Sequence, residues 1–494
     1  MVRSPSNYTI LNNGYLKWII LAFITILWIG LGFYFSDLSL FKQILMISIS
    51  VLAVFLLALG LRPLLFFLLP ISIVSRGVFN LIGFFTIWDG ILFLISGYII
   101  INSLNKKRNY HVFNEGTLFI ILLIIIFITE VMGLILFPDI FYQASFKPFM
   151  NFFEGILLII CVVTIIKNIK DIKIITYLFI FTGLLFSLII IYESHFGLFY
   201  FGIQPVFSNA YLEYRGSLRA HTGSLLLLLP AFWFAFFLRK RNPLFYLIMP
   251  VMLFAFALSS TRSLYLGFLG GIVSLFYLRY LSDIFLIVTV AGSVAWFVSD
   301  FLIPRVSEIT NSMLTYFGGK YSTGMTSTIG RLIIAKTAIS NFLTHPLWGF
   351  GINGFGMETY ADPQYLKKFE VHREFDWFFR SIDNPEGNTH NQYLQILVDH
   401  GLIALVIFLA LSLKLVKISY RNIMNTQDLF IKDVSKALFV SLVGYLFVFM
   451  GAPLLTSMAN ILSMTSFGFC VGLIYSIKGM ITSERGDIRQ IKMK

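Results

Sequence analysis

LFIILLIIIFITEVMGLILF, running from Leu118 to Phe137, holds a single ionisable side chain, Glu130, in an otherwise almost wholly apolar run. A helix needs roughly 20 such residues to cross ~30 Å of hydrocarbon, whereas the strands of a membrane barrel would alternate polar and apolar positions. The run therefore reads as a transmembrane helix, and the rest of the chain repeats the pattern. Hydrophobic residues make up 58% of the sequence, charged residues only 12%, and the mean hydropathy is +0.84, so an all-α polytopic membrane protein is expected.

Working outward from that run, spans are expected near 16–35, 43–61, 63–80, 83–102, 116–137, 150–166, 174–192, 222–238, 244–259, 263–280, 283–302, 391–413, 436–452 and 458–477. The total is about 12–14 helices, because Pro70 and Arg76 interrupt the third run and leave it short of a full crossing. The first run, Trp18 to Phe35, lacks a small-residue cleavage site at its end and is read as a retained span. No internal repeat divides the sequence. It is expected to form one transmembrane domain over 1–494, with a polar region at 303–390 inserted between two spans.

The net charge of +13 is a topology signal. With a cytoplasmic N-terminus, alternate connectors hold Lys106-Lys107-Arg108, Lys167/Lys170/Lys173, Arg239-Lys240-Arg241 and Lys414/Lys417/Arg421/Lys432/Lys436. All fall on one side, as the positive-inside rule requires, and nucleic acid is not implied. The long loop consequently faces away from the cytoplasm. Soluble cytosolic donors such as ATP and nucleotide sugars are excluded from a site there. Cys161 and Cys470 lie inside spans and read as packing residues.

Several patterns carry no chemistry. Gly349-Phe350-Gly351-Ile352-Asn353-Gly354 satisfies GxGxxG but follows a helical stretch, Thr328–Thr344, that His345-Pro346 ends, so a close-packed glycine turn is expected. No GxxxxGK[ST], HExxH or Asp-x-Asp is present, and no metal site or cofactor is expected.

Three external features remain. Thr389-His390-Asn391-Gln392-Tyr393-Leu394 sets an imidazole where the long loop re-enters the membrane, and an unperturbed His pKa near 6.5 suits a general base. Thr261-Arg262-Ser263 places a cation between two spans with almost no loop. Arg215 and Arg219, four apart, would share a helical face and could clamp a diphosphate bidentately. Within a straight helix, His390 and Asp399 would point to opposite sides and lie ~13 Å apart along the axis, so Asp399 is expected to bond to another span. His400 would lie about 15 Å from His390, outside any shared site. Farther up the loop, Asp376, Trp377, Phe378 and Glu386 offer ring faces and hydroxyl acceptors to a sugar, or an interfacial anchor.

These stretches, in this order, resemble the O-antigen ligase and O-antigen polymerase superfamily of bacterial surface-glycan assembly. Ser259-Ser260-Thr261-Arg262-Ser263 is similar to its Ser/Thr-Arg signature, and Gly330-Arg331 through His345-Pro346 to Gly351 to the opening of its large periplasmic loop. His390-Asn391-Gln392-Tyr393-Leu394 with Asp399 and Gly401 looks like its His-Asn motif, and Arg219-Ala220-His221-Thr222-Gly223 is a looser match. The resemblance covers about residues 205–405. It implies a glycosyltransferase of the membrane C type (GT-C) in the bacterial inner membrane, working at the periplasmic face without metal and inverting the anomeric carbon. The donor would be a glycan on undecaprenyl diphosphate, held by Arg262 and Arg219. His390 would activate an acceptor hydroxyl, on a lipid A core for a ligase or on a second lipid-linked glycan for a polymerase.

A protein-glycosylating relative stays open, as does a polysaccharide flippase or exporter. Transport favours polar residues at the bilayer midplane and a repeat between halves; here Asp89, Glu130 and Asp399 lie within spans, but no repeat is visible and the polar weight lies on one face. A peptidoglycan polymerase of the shape, elongation and division group would instead centre on an external aspartate.

Overall fold

The computed structural model describes residues 60–74, 80–82, 85–106, 113–136, 146–196, 226–259, 261–297, 326–352, 354–355, 389–455 and 461–492. Thirteen helices carry the architecture among them: α1 Leu61–Val74, α2 Ile87–Lys106, α3 Phe113–Leu136, α4 Phe146–Ile165, α5 Ile169–Phe196, α6 Leu228–Leu238, α7 Phe245–Leu258, α8 Arg262–Tyr277, α9 Leu281–Phe297, α10 Thr326–Thr344, α11 Gln392–Asn425, α12 Leu429–Val448 and α13 Ile461–Lys492. Each expected span from the third onward coincides with one of these helices. Among the described residues, four stretches are long and apolar enough to cross a membrane: Leu118–Ile135, Ile169–Ser194, Gln392–Asn425 and Ile461–Ser483. The first two expected spans lie outside the described residues.

Two boundaries differ from the sequence reading. The third span was expected to reach residue 80, yet α1 ends at Val74, and Asn80–Ile82 pairs antiparallel with Phe85–Thr86 as a short hairpin, β1 and β2. The helix expected at 391–413 continues to Asn425 and is broken at Gly401, where φ is 79° and ψ 178°.

Hydropathy explains which faces turn inward. Every residue of α6 is buried, as befits a helix that is apolar all round. Its Trp233 stacks on Phe268 of α8 with ring centroids 5.5 Å apart, and Phe232 meets the Trp233 edge at 5.0 Å. Helix α12 packs on α6, α8 and α11, which places it at the centre. Its approach to α8 is close because Gly267 faces Gly444: a Cβ on Gly444 would lie 2.8 Å from the Gly267 carbonyl oxygen. Small residues allow such backbone contact where lipid supplies no hydrophobic drive between helices. On α3, by contrast, Ile124, Phe127, Ile128, Val131 and Ile135 are exposed, an apolar face suited to hydrocarbon.

The basic connectors meet at one end of the bundle. Arg241 donates to Asp433 Oδ2 through Nε at 3.1 Å and Nη2 at 3.0 Å, and Lys436 reaches Asp433 Oδ1 at 3.0 Å. Arg239 pairs with Asp283, while Arg62 lies 3.7 Å from Asp171. Among the described residues, ion pairs thus join the Arg239–Arg241 connector to those that hold Asp283 and Asp433, and the connector that holds Asp171 to Arg62. The starts of α8 and α11, a helix length away, lie at the opposite end.

Candidate functional site

Helix α11 begins from a tightly bonded turn. Asn391 has extended backbone angles and caps the helix: its Oδ1 accepts from Tyr393 N–H at 2.9 Å and Leu394 N–H at 3.1 Å. Thr389 is buried, and its hydroxyl donates to the Asn391 carbonyl at 2.7 Å. Between them His390, half-buried, adopts φ 53°, a left-handed conformation rare for residues other than glycine. Such a backbone costs about 1–3 kcal/mol and persists where the surroundings over-determine it. The Thr389 and Asn391 bonds supply that constraint.

The turn is also tied to the end of α12. Gln392 N–H donates to the Phe449 carbonyl at 2.7 Å, Asn391 Nδ2 to the Met450 carbonyl at 3.3 Å, and Leu455 N–H to Gln392 Oε1 at 2.7 Å. The same segment touches the start of α8, since a Cβ on Gly451 would lie 2.9 Å from Ser263 Cβ. One backbone segment, 449–451, therefore separates the His-Asn turn from the helix that Arg262 opens. Thr261 precedes that helix with extended angles and gives no side-chain cap; its hydroxyl donates to the Ser259 carbonyl at 2.9 Å.

Below the turn, α11 runs only to His400 before Gly401 interrupts it. The break frees carbonyls that lipid would leave unsatisfied. The glycine loop fills them: Phe350 N–H donates to the Val398 carbonyl at 3.2 Å and Gly351 N–H to the Asp399 carbonyl at 2.7 Å. Leu402 N–H returns a bond to the Pro346 carbonyl at 2.9 Å. A Cβ on Gly401 would collide with the Leu347 carbonyl. GxGxxG here is thus a packing turn, as the sequence suggested, with φ 61° at Gly349 and 86° at Gly351. Helix α10 ends at Thr344, before His345-Pro346, and its Ile334 and Ala338 pack with Phe350, Phe355 and Val398.

The buried carboxylates serve this junction. Asp399 is fully buried; its Oδ2 accepts from Gln395 Nε2 at 2.8 Å and its Oδ1 from Phe355 N–H at 3.3 Å. These two partners lie in the preceding turn of its own helix and in the loop that the Gly401 break draws in. Glu130 Oε1 of α3 accepts from Ile352 N–H at 2.5 Å, and His400 Nδ1 meets Thr129 Oγ1 at 2.6 Å. Because the Thr129 hydroxyl donates to the Ile126 carbonyl, His400 Nδ1 carries the proton in that contact.

Of the residues singled out in the sequence, His390 and the backbone of Arg262 are brought to one end of the bundle. The Arg262 side chain, Arg215, Arg219, Asp376, Trp377, Phe378 and Glu386 lie outside the described residues. Gln395, Thr129 and Glu130 were not assigned to the site from sequence. Their signal was there in part, since Gln392, Gln395 and Asp399 recur at helical spacing in an apolar segment.

Residues 247–409 match the family model described as O-antigen ligase. That match, across about a third of the chain, supports the O-antigen ligase superfamily. The matched segment runs from the first turn of α7 to the middle of α11, so it contains Arg262, the glycine loop, His390, Asp399 and Gly401. The match supports, at a coarse level, a membrane protein of glycosyl transfer, of ligase or polymerase type, with lipid-linked glycans as substrates. No curated protein matches the chain. The partners from outside the matched residues fall into two groups: the end of α12 and the segment after it hold the His-Asn turn, and Thr129 and Glu130 of α3 hold His400 and the glycine loop.

Proposed function

We propose that the protein is a glycosyltransferase of O-antigen ligase type that moves a glycan from undecaprenyl diphosphate to a sugar hydroxyl of a lipid A core, at the periplasmic face of the inner membrane. The observation that carries this reading is the placement of His390. It sits in a left-handed turn beside the capped start of α11, one backbone segment from the helix that begins at Arg262.

The chemistry needs two separate provisions. Negative charge builds on the departing diphosphate, and fixed cations at a partly dry membrane boundary stabilise it. Arg262, at the positive end of the α8 dipole, is assigned that role with Arg219 and Arg215. The acceptor hydroxyl must also lose its proton as its oxygen attacks. The His390 imidazole takes that proton, the new bond forms between the acceptor oxygen and the anomeric carbon, and the bond from that carbon to the diphosphate oxygen breaks. One displacement inverts the anomeric centre and leaves undecaprenyl diphosphate. The donor carries its own leaving-group energy, so neither ATP nor metal enters the scheme. Asp376, Trp377, Phe378 and Glu386 are assigned to the acceptor sugar.

The test is transfer by purified protein from lipid-linked donor to lipid A core, compared for wild type and His390→Ala. The substitution should lower turnover by roughly 10² to 10⁴, with donor binding retained and chelator without effect on wild type. Undiminished transfer by His390→Ala would remove the imidazole from the chemistry, and loss of wild-type activity on chelation would reveal a required metal. Transfer only to a second lipid-linked glycan would assign the protein to the polymerases.

A further inference from the structure

The Gln395 side chain, fully buried in the second turn of α11, connects two features that the sequence separates. Its Nε2 donates to Asp399 Oδ2 at 2.8 Å, and its Oε1 accepts from Thr389 N–H at 2.8 Å. An ionised carboxylate only accepts, so Asp399 dictates which way the amide faces. Turned over, Gln395 would set oxygen against oxygen at Asp399 and N–H against N–H at Thr389. Asp399 is itself fixed from its other oxygen, which takes Phe355 N–H at 3.3 Å. A hydrogen-bonded series thus runs from the glycine loop through Asp399 and Gln395 to Thr389, the residue before His390.

The geometry points to Gln395 as a positioning residue for His390. Its amide, oriented by Asp399, holds the Thr389 backbone and with it the left-handed turn that aims the imidazole at the acceptor. Asn391 fixes the turn on the helix side; Gln395 fixes it on the loop side. Asp399 therefore acts on the site without approaching it, although a straight-helix geometry keeps the two residues apart. The inference rests on the reading of His390 as the base.

Its test uses the full-length protein and the lipid-linked transfer assay, with turnover normalised to folded protein recovered by size exclusion. Gln395→Met keeps the side-chain shape and removes both bonds. It should lower turnover about 10- to 100-fold while the half-saturating donor concentration stays unchanged, because a misplacement of the reacting group by about 1 Å has that cost. Asp399→Asn should fall similarly, since a single amide oxygen cannot accept from both Gln395 Nε2 and Phe355 N–H as the carboxylate does. Combining Gln395→Glu with Asp399→Asn restores the pattern in reverse: the carboxylate at 395 accepts from both the new amide and Thr389 N–H. That pair should recover to within about threefold of wild type, a coupling that independent sites would not show.

Introducing Gln395→Met into His390→Ala should lower residual turnover no further, because a residue that acts through His390 has nothing left to position. Wild-type turnover by Gln395→Met, a pair no better than its single members, or an additional loss in the His390→Ala background would each overturn the inference. If the paired variant does not fold, Gln395→Met with and without His390→Ala decides. Failure of the underlying reading looks different: full activity in His390→Ala alone.

Discussion

Helices α8 and α11 start at the same end of the bundle, one backbone segment apart, yet their first turns are built differently. Asn391 closes the start of α11 with two hydrogen bonds, and Thr389, Gln395 and the end of α12 lock the approach to it. Thr261 leaves the start of α8 without a side-chain cap, and Arg262 follows at once. A capped helix start has satisfied its own amides and serves to position a neighbour. A start without a side-chain cap still presents the positive end of the helix dipole, which suits an anion. The difference divides the proposed labour between diphosphate at α8 and proton transfer at α11.

The largest effect should separate those tasks. Arg262→Ala is expected to reduce transfer by about 10² to 10³, with weakened donor binding, whereas His390→Ala spares binding. Arg262→Lys should recover only part, since an ammonium lacks the guanidinium fork. Titration with a radiolabelled lipid diphosphate checks this, and equal donor affinity in both variants would dissolve the division.

Gly401→Ala tests why α11 is short above the break. With φ 79° and ψ 178°, and the Leu347 carbonyl where a Cβ would stand, the substitution should destabilise the protein by more than about 3 kcal/mol, seen as a lowered melting temperature in detergent. A stable variant would mean that the loop and helix need not interlock.

Asn391→Ala removes the cap and the bond to Met450, and should cost about 0.5–2 kcal/mol of stability together with part of the turnover. Thr261→Ala should do least. It loses one hydroxyl bond to the Ser259 carbonyl, at most about 1 kcal/mol by thermal unfolding, and no cap. Equal losses from these two substitutions would erase the contrast between capped and uncapped starts.

Much of this was legible in the chain itself. A run such as Leu118–Phe137 declares its environment because every crossing residue must be apolar and every backbone bond internal. His345-Pro346 stops α10 through sterics local to the residue before proline. The positions of Gly349 and Gly351 signalled tight backbone, and the O-antigen ligase resemblance picked out Arg262 and His390. Hydropathy, caps and breakers are properties of single segments, so sequence alone determined the membrane class, the helices and the residues worth testing.

Only tertiary packing decided what those residues do to one another. Ile352 finds Glu130 from 222 positions away, and Phe355 finds Asp399 from 44. Treating 391–413 as one straight helix put Asp399 out of reach of His390, and along that helix it is. The link runs instead through Gln395 and the Thr389 backbone, and through a loop that enters only because Gly401 breaks the helix. Hydrogen bonds between distant segments depend on how helices are brought together, which hydropathy and periodicity do not encode. The chain specified an imidazole just before α11, and the packing of loop, broken helix and α12 end set its conformation.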